Sequence, residues 1–116
     1  MTLRAYQKAQ AAAESPRGSE YRLFGQVTGA LIEAQRAGLT GNRLVDALDW
    51  NRRLWTTLAA DCLDEGNKLT REVRAQIVSL SIWVGKYSSQ VAQEGAPLEP
   101  LIDVNRTVMQ GLKEAA

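Results

Sequence analysis

Apolar residues recur along the chain at intervals of three and four, and stretches rich in Gly, Pro, Ser and Asn interrupt this spacing. Residues spaced in this way fall on one face of an α-helix, and no stretch of useful length alternates as a β-strand does. The interruptions fall at 14–19, 37–42, 65–70 and 94–100, so the pattern predicts five helices. We therefore expect an all-α fold, a small bundle of about five helices in a single domain spanning residues 1–116.

The first predicted helix, at about residues 3–13, has only Leu3, Tyr6 and alanines available for burial. Such a helix has good intrinsic propensity but gains little packing energy. We therefore expect residues 1–18 to hold a mobile N-terminal helix.

The other four predicted helices each carry an apolar face. They cover about residues 19–36, 41–64 and 71–93, with a last helix that starts near Pro100. Their spacing indicates which residues face a common core. These are Leu23, Phe24, Val27, Ala30, Leu31 and Ala34 in the second helix, Leu48, Trp55, Leu58 and Cys62 in the third, Val73, Ile77, Leu80, Val84, Tyr87 and Val91 in the fourth, and Leu101, Ile102, Val108, Met109 and Leu112 in the last.

Residues at the helix ends support these boundaries. Gly38 is placed to end the second helix in a left-handed conformation. Thr40 and Thr70 are placed to cap the next two helices by hydrogen bonding. Leu39 and Leu44 stand at the two positions of a hydrophobic staple.

The chain carries no sign of membrane insertion. No run approaches the roughly 20 apolar residues that a bilayer-spanning helix needs. Gly25 and Gly29 form a GxxxG in the second helix, but charged residues lie around them. We therefore expect this motif to allow close approach of a neighbouring helix in water, not a membrane dimer.

Composition narrows the possible functions. Fourteen Lys and Arg against 13 Asp and Glu give a net charge of +1, so no broad positive field attracts phosphates and direct binding of nucleic acid is disfavoured. The chain has no His and one Cys, Cys62. This composition offers few ligands for a metal ion, and a single Cys that cannot form an intramolecular disulfide suits a reducing compartment. Arg4 and Lys8 interrupt the apolar positions near the N-terminus, unlike a secretory signal. We expect a cytoplasmic protein without metal or cofactor.

Catalysis is not expected either. Without His, the remaining bases are carboxylates and lysines, and none stands at a recognisable spacing from a nucleophile. The chain also lacks a Gly-rich phosphate loop. Cys62 lies within the apolar face of the third helix and is interpreted as a small buried hydrophobic residue.

The segment WNRRLWTTLAADC, residues 50–62, holds two of the three tryptophans. At 100° per residue, Trp50 and Trp55 lie about 140° apart on one helix, so they face different neighbours. Trp55 continues the apolar face and is expected in the core. For Trp50, at the edge of that face, core packing and contact with a partner both stay open.

Charged residues near this segment are expected to pair within the chain. Asp49 lies four residues before Arg53 and can pair with it, which leaves Arg52 and Arg53 on a solvated face. A helix dipole disfavours the acidic residues at the end of the third helix, so nearby basic residues should neutralise them. The expected partners are Asp61, Asp64 and Glu65 on one side and Lys68, Arg71 and Arg74 on the other. The alternative is that a basic ligand or partner protein neutralises the acidic residues.

Asn51 and Asn105 each interrupt an apolar face. A buried amide must have its donors and acceptors paired, or it costs about 1 to 3 kcal/mol. Two interpretations are open: the amides set the register of the bundle, or they hydrogen-bond a helix of another protein.

Three separated stretches carry a resemblance to a known family. NRRLW at 51–55, EGNKLTREVRAQIVSLSIWV at 65–84 and PLIDVNRTVMQGL at 100–112 resemble, in this order, the FlaF family of alphaproteobacterial flagellar biosynthesis regulators. The resemblance covers nearly the whole chain. The matching positions are Asn51, Leu54, Trp55, Asn67, Leu69, Arg74, Leu80, Leu101, Ile102, Asn105, Gly111 and Leu112. Where the family often has Leu-Pro, this chain has Leu69-Thr70, and a threonine cap does the same work by hydrogen bonding.

The resemblance implies a cytoplasmic, non-enzymatic helper of flagellin that promotes its production and secretion and associates with it. Such proteins act opposite a companion regulator, FlbT, which restrains flagellin translation. We therefore expect a chaperone that covers an amphipathic helix of flagellin, with a terminal helix as the expected target. The alternative is a post-transcriptional regulator of flagellin messenger RNA. It would contact the RNA directly, or it would act through FlbT, either with it or against it.

We predict that the partner-binding residues lie on the third to fifth helices. The tryptophans would serve as anchors, and the two buried amides would fix the register. The predicted set is Trp50, Asn51, Arg52, Trp55, Trp83, Tyr87, Asn105 and Met109. The sequence leaves the oligomeric state open.

Overall fold

The structure, a computed structural model, describes residues 16–115. They form four helices, α1 at Pro16–Ala37, α2 at Gly41–Leu63, α3 at Arg71–Glu94 and α4 at Glu99–Ala115, and no strand. The all-α prediction is confirmed, and these are the second to fifth predicted helices. The first predicted helix, at about 3–13, lies outside the described residues.

The first described helix includes residues that the sequence placed in a connection. The sequence assigned residues 14–19 to a connection, whereas residues from Pro16 onward are helical. Pro16, Gly18 and Ser19 therefore lie in α1.

The helix ends follow the predicted signals in two of three places. Gly38 has a φ of +62°, and the Leu39 N–H donates to the Ala34 carbonyl at 2.9 Å, which is the left-handed ending predicted for α1. Thr70 caps α3, because its Oγ1 accepts from the Val73 N–H at 3.2 Å.

Thr40 stands at the cap position of α2 but makes no side-chain cap hydrogen bond, so that part of the prediction is wrong. Gly41 has a φ of +60°, and the regular helical conformation therefore begins only after it.

The helices form a bundle that is open along one edge. Helix α2 packs against both α1 and α3, and α1 also packs against α4, whereas α3 and α4 barely touch. The core between them contains Phe24 and Trp55, whose rings meet edge to face at 5.5 Å. The other buried apolar residues are Val27, Leu31, Ala34, Ala47, Leu48, Leu54, Leu58, Cys62, Ile77, Val84, Val91, Leu98, Leu101 and Ile102.

Two residues assigned to the core from their spacing are exposed. Leu23 is 39% exposed and Val73 is 38% exposed. Leu23 lies about 100° from Phe24, at the edge of the buried face of α1. Val73 lies in the first turn of α3, and the shorter α4 starts beside the other end of α3. With 17 residues against 24, α4 is about 10 Å shorter than α3 at 1.5 Å per residue.

The GxxxG of α1 allows close approach at one of its two glycines. A Cβ added at Gly25 would lie 3.7 Å from the Met109 Cε of α4, whereas one at Gly29 would meet nothing within 4 Å. Within the described residues, no helix is long and apolar enough to cross a membrane.

Candidate functional site

One edge of α3 carries a partly exposed aromatic pair. The rings of Trp83 and Tyr87 stack at 5.0 Å with an interplanar angle of 18°, and Trp83 is 37% exposed. The Tyr87 hydroxyl donates to the carbonyl of Pro97, in the connection between α3 and α4, at 2.7 Å. Burial raises the pKa of Tyr87 above its ordinary value. This hydrogen bond holds the aromatic pair on the side of α3 that faces α4.

Leu80 belongs to the same edge. Leu80, Trp83 and Tyr87 lie within about 60° of one another around the helix axis, and Leu80 is half-buried against the core. The opposite edge of α3 faces α2, because the Gly85 carbonyl accepts from Arg52 at 3.3 Å.

The edge of α4 that faces α3 is also apolar. The other edge of α4 faces α1, because Met109 accepts a hydrogen bond from the Thr28 hydroxyl at 3.8 Å to its sulfur. Val104 and Val108 lie about 100° to 140° from Met109 around the helix. Both are half-buried against the core, so one side of each remains accessible.

We call these five residues, Leu80, Trp83, Tyr87, Val104 and Val108, the α3/α4 seam. The two helices barely touch, so apolar side chains on both are left without a full packing neighbour. None of the five carries a charge at neutral pH. A half-buried apolar edge of this kind is suited to receive one more helix.

Three of the predicted partner-binding residues lie in the core. The Trp55 indole N–H donates to Asn105 Oδ1 at 2.8 Å. Asn105 Nδ2 donates to Asn51 Oδ1 at 2.8 Å and to Thr28 Oγ1 at 3.1 Å. Trp55, Asn51 and Asn105 are all at most 1% exposed. Their hydrogen bonds join α1, α2 and α4, and the partner-binding role predicted for them does not fit their burial.

This network supports the first interpretation of the two asparagines, that they set the register of the bundle. The oxygen of each amide is paired within the chain. The amino group of Asn51 is left over, because Asn51 Nδ2 is buried and neither of its N–H donors has a hydrogen-bond partner among the described residues. Of the predicted set, Met109 also turns inward, toward Gly25 and Thr28.

Trp50 is the second exposed tryptophan, at 40%. It lies about 60° from Arg53 around α2 but about 160° from Arg52, and Arg52 instead reaches α3, where its Nη2 donates to Ser89 Oγ at 2.7 Å. The Trp50, Arg52 and Arg53 side chains therefore do not form one basic and aromatic patch.

The expected ion pairs are not formed. Among the described side chains an ion pair joins Arg36 to Glu33 at 2.6 Å, but none joins Asp49 to Arg53, so that predicted pairing is wrong. Exposed pairs gain too little from their charges to fix long side chains in one geometry.

The basic residues after α2 act differently from the prediction as well. Arg74 donates from Nε to the Cys62 carbonyl at 2.5 Å and from Nη2 to the Asp64 carbonyl at 3.3 Å. It thus neutralises the negative end of α2 through the backbone, while the side chains of the acidic cluster remain without ion pairs in residues 16–115. The free carbonyls at a helix end attract a cation directly.

Sequence reasoning named Trp83 and Tyr87 but missed the rest of the α3/α4 seam. Leu80 and Val108 were assigned to the core face, and Val104 was not singled out. The i, i+4 spacing of Val104 and Val108 was the available signal. The pattern does not reveal that α3 and α4 diverge, because the distance between two helices depends on how they pack on the other two.

The described chain is a small all-helical bundle with an exposed apolar edge, and its described residues contain no group of three or more Cys, Asp or Glu that could hold a metal ion. A family model described as flagellar protein FlaF matches residues 2–112. The chain therefore belongs to the FlaF family, as the three motifs indicated. No curated protein and no solved structure matches it.

Proposed function

We propose that this chain is a cytoplasmic, non-enzymatic flagellin chaperone and regulator that binds an amphipathic, terminal helix of flagellin along the α3/α4 seam. Membership of a flagellar family supports the flagellar setting. The observation that carries the binding mode is the seam itself, with its stacked Trp83 and Tyr87 and the half-buried Leu80, Val104 and Val108. Binding would support flagellin synthesis and secretion during flagellum assembly.

The mechanism is burial of apolar surface. An amphipathic helix exposes one apolar face until it packs in its final assembly, and that face promotes premature association. A helix laid along the seam would bury it against the five side chains, with Trp83 as the aromatic anchor. Because the bound helix would be buried along one side and exposed along the other, we expect moderate affinity. Moderate affinity suits a protein that must release the helix.

The test compares the two exposed tryptophans. We expect Trp83→Ala to raise the Kd for purified monomeric flagellin by about 30-fold, the size typical of a tryptophan hot spot. Trp50→Ala is the matched control, because Trp50 is equally exposed but lies on a different helix away from the seam. Isothermal titration calorimetry measures both, and circular dichroism checks that each variant is folded.

A folded Trp83→Ala variant that binds flagellin at full strength would remove the seam from the proposal. Loss of binding in Trp50→Ala alone would place the site on the exposed face of α2. If the unchanged protein gives no binding signal with flagellin, the chaperone function itself is wrong.

The rival function is regulation of flagellin messenger RNA, directly or together with or against FlbT. Its structural support is the exposed Trp50 with Arg53 on the same face of α2. RNA binding through one or two cations is weak at physiological salt, because few phosphates are neutralised, whereas an uncharged seam binds a helix with little salt dependence. We expect no gel shift of the flagellin leader RNA at physiological salt. A shift that Arg53→Gln abolishes would favour the rival.

A further inference from the structure

The guanidinium of Arg52 is held between α2 and α3 with part of its hydrogen-bonding capacity unused. Its Nη2 donates to the Gly85 carbonyl at 3.3 Å and to Ser89 Oγ at 2.7 Å. Its Nε is buried and has no partner, and no carboxylate pairs with it among residues 16–115. A half-buried cation without a counter-charge is costly, so this arrangement is incomplete by itself.

A small pocket lies beside this guanidinium. It has a volume of about 130 Å³, roughly the space of four water molecules. A Cβ added at Gly85 would meet nothing within 4 Å, so the glycine leaves the wall of α3 open. The lining residues are Arg52, Trp55, Thr56, Ser81, Val84 and Gly85.

The chemistry of the lining fits one negative charge. Trp55 and Val84 are buried and form an apolar floor, which strengthens electrostatic attraction above it. Arg52 supplies the charge and the hydrogen-bond donors, and Thr56 adds a hydroxyl. We propose that Arg52 and this pocket form a binding site for a single carboxylate, such as the side chain of a partner's Asp or Glu.

A carboxylate fits this pocket better than a phosphate does. Arg52 is the only cation in the lining, and the net charge of the chain is +1, so a dianion would remain half neutralised. The N–H groups of the guanidinium that Gly85 and Ser89 leave free can donate a charge-assisted hydrogen bond to a carboxylate oxygen. The volume admits the end of an acidic side chain but not a nucleotide.

The test is a nuclear magnetic resonance titration of the full chain with sodium acetate, at pH 7 and constant ionic strength set with sodium chloride. We expect saturable shifts of the Thr56, Ser81 and Gly85 amides and of the Arg52 Nε–H, absent when chloride alone is varied. Arg52→Gln should weaken acetate binding at least tenfold, whereas Arg53→Gln, the exposed neighbour, should leave it unchanged.

A second variant covers the case in which Arg52→Gln perturbs the fold. Ser89→Ala keeps the guanidinium but removes the hydroxyl that holds it, so acetate should bind more weakly to a folded protein. Equal shifts with chloride, unchanged acetate binding in folded Arg52→Gln, or stronger shifts with sodium phosphate at the same ionic strength would each overturn the carboxylate site.

A measurement of flagellin affinity identifies which molecule supplies the carboxylate. A tenfold loss of flagellin affinity in Arg52→Gln would assign it to flagellin. Acetate binding with unchanged flagellin affinity supports the site and assigns it to a different acidic partner or a free carboxylate. The acetate titration needs no flagellin, so this proposal can fail or stand independently of the chaperone function.

Discussion

The amide of Asn105 accepts a hydrogen bond from the Trp55 indole and donates to Asn51 and Thr28, so three helices meet at one side chain. In a protein interior such a network is strong when it is complete and costly when one member is removed. The apolar residues around this network drive the helices together. We infer that the amides set the axial position at which the helices pack.

We predict that Asn105→Leu lowers the free energy of unfolding by about 1 to 3 kcal/mol, because the Trp55 N–H and the Asn51 oxygen lose their partner inside the core. Urea denaturation followed by circular dichroism measures the change. Arg106→Ala, at the neighbouring exposed position, is the control and should stay within about 0.5 kcal/mol of the unchanged protein. Equal stability of Asn105→Leu would show that the network does not stabilise the fold.

At this scale the sequence indicated that the two asparagines matter but not that they bind each other. Helical spacing gives the face on which a residue lies. It contains no information on which residue of another helix stands opposite, and Asn51 and Asn105 are 54 positions apart. The same limit applies to Arg74, whose spacing indicated a nearby negative charge but not that carbonyl oxygens supply it.

The turn between α2 and α3 is held by side chains that bind backbone. Asn67 donates from Nδ2 to the Asp61 carbonyl at 3.0 Å, and its Oδ1 accepts from the Leu69 N–H at 2.9 Å. Arg74 binds two further carbonyls of the same turn. Asn67 and Arg74 both match motif positions of the FlaF family, and the structure gives both a role in the fold.

We predict that Asn67→Ala lowers the free energy of unfolding by about 1 to 2 kcal/mol, because two hydrogen bonds to the turn are lost. Lys68→Ala is the matched control, since Lys68 is exposed in the same turn and makes no such bonds. Thermal unfolding by calorimetry compares them. If both variants melt together with the unchanged protein, the turn does not depend on Asn67.

The four described helices differ in how well each is supported by the others. Helices α1 and α2 each pack against two neighbours, whereas α3 packs mainly on α2 and α4 mainly on α1. Local stability follows the amount of packed surface. The molecule therefore has two inner helices and two outer ones, with the α3/α4 seam between the outer pair.

We predict that amide hydrogen exchange in the free protein is at least about tenfold faster in the middle of α3 and α4 than in the middle of α1 and α2, because the outer helices can open without disrupting the inner pair. Mass spectrometry of peptides from each helix measures this. Uniform rates across all four helices would mean that the bundle opens only as a whole, and the seam would then not be a weak edge.

At the scale of the whole molecule, helical periodicity was sufficient to predict the fold class, the described helices and most of the core. Phe24, Val27, Trp55 and Val84 were all assigned correctly because each lies near the centre of its buried face. Residues at the edge of a face, such as Leu23, were not. Whether an edge residue is covered depends on the position and length of the neighbouring helix, which no local pattern contains.

The seam's lack of charge has a consequence for how a bound helix leaves it. Tyr87 is its only ionisable residue, and burial raises the pKa of that phenol above an ordinary value of about 10. Lowering the pH, or raising it mildly above neutral, therefore leaves the seam uncharged and its apolar surface unchanged. A flagellin helix bound there as proposed would leave when a competing apolar surface binds it more strongly, so its release would depend on the receiving surface and not on pH.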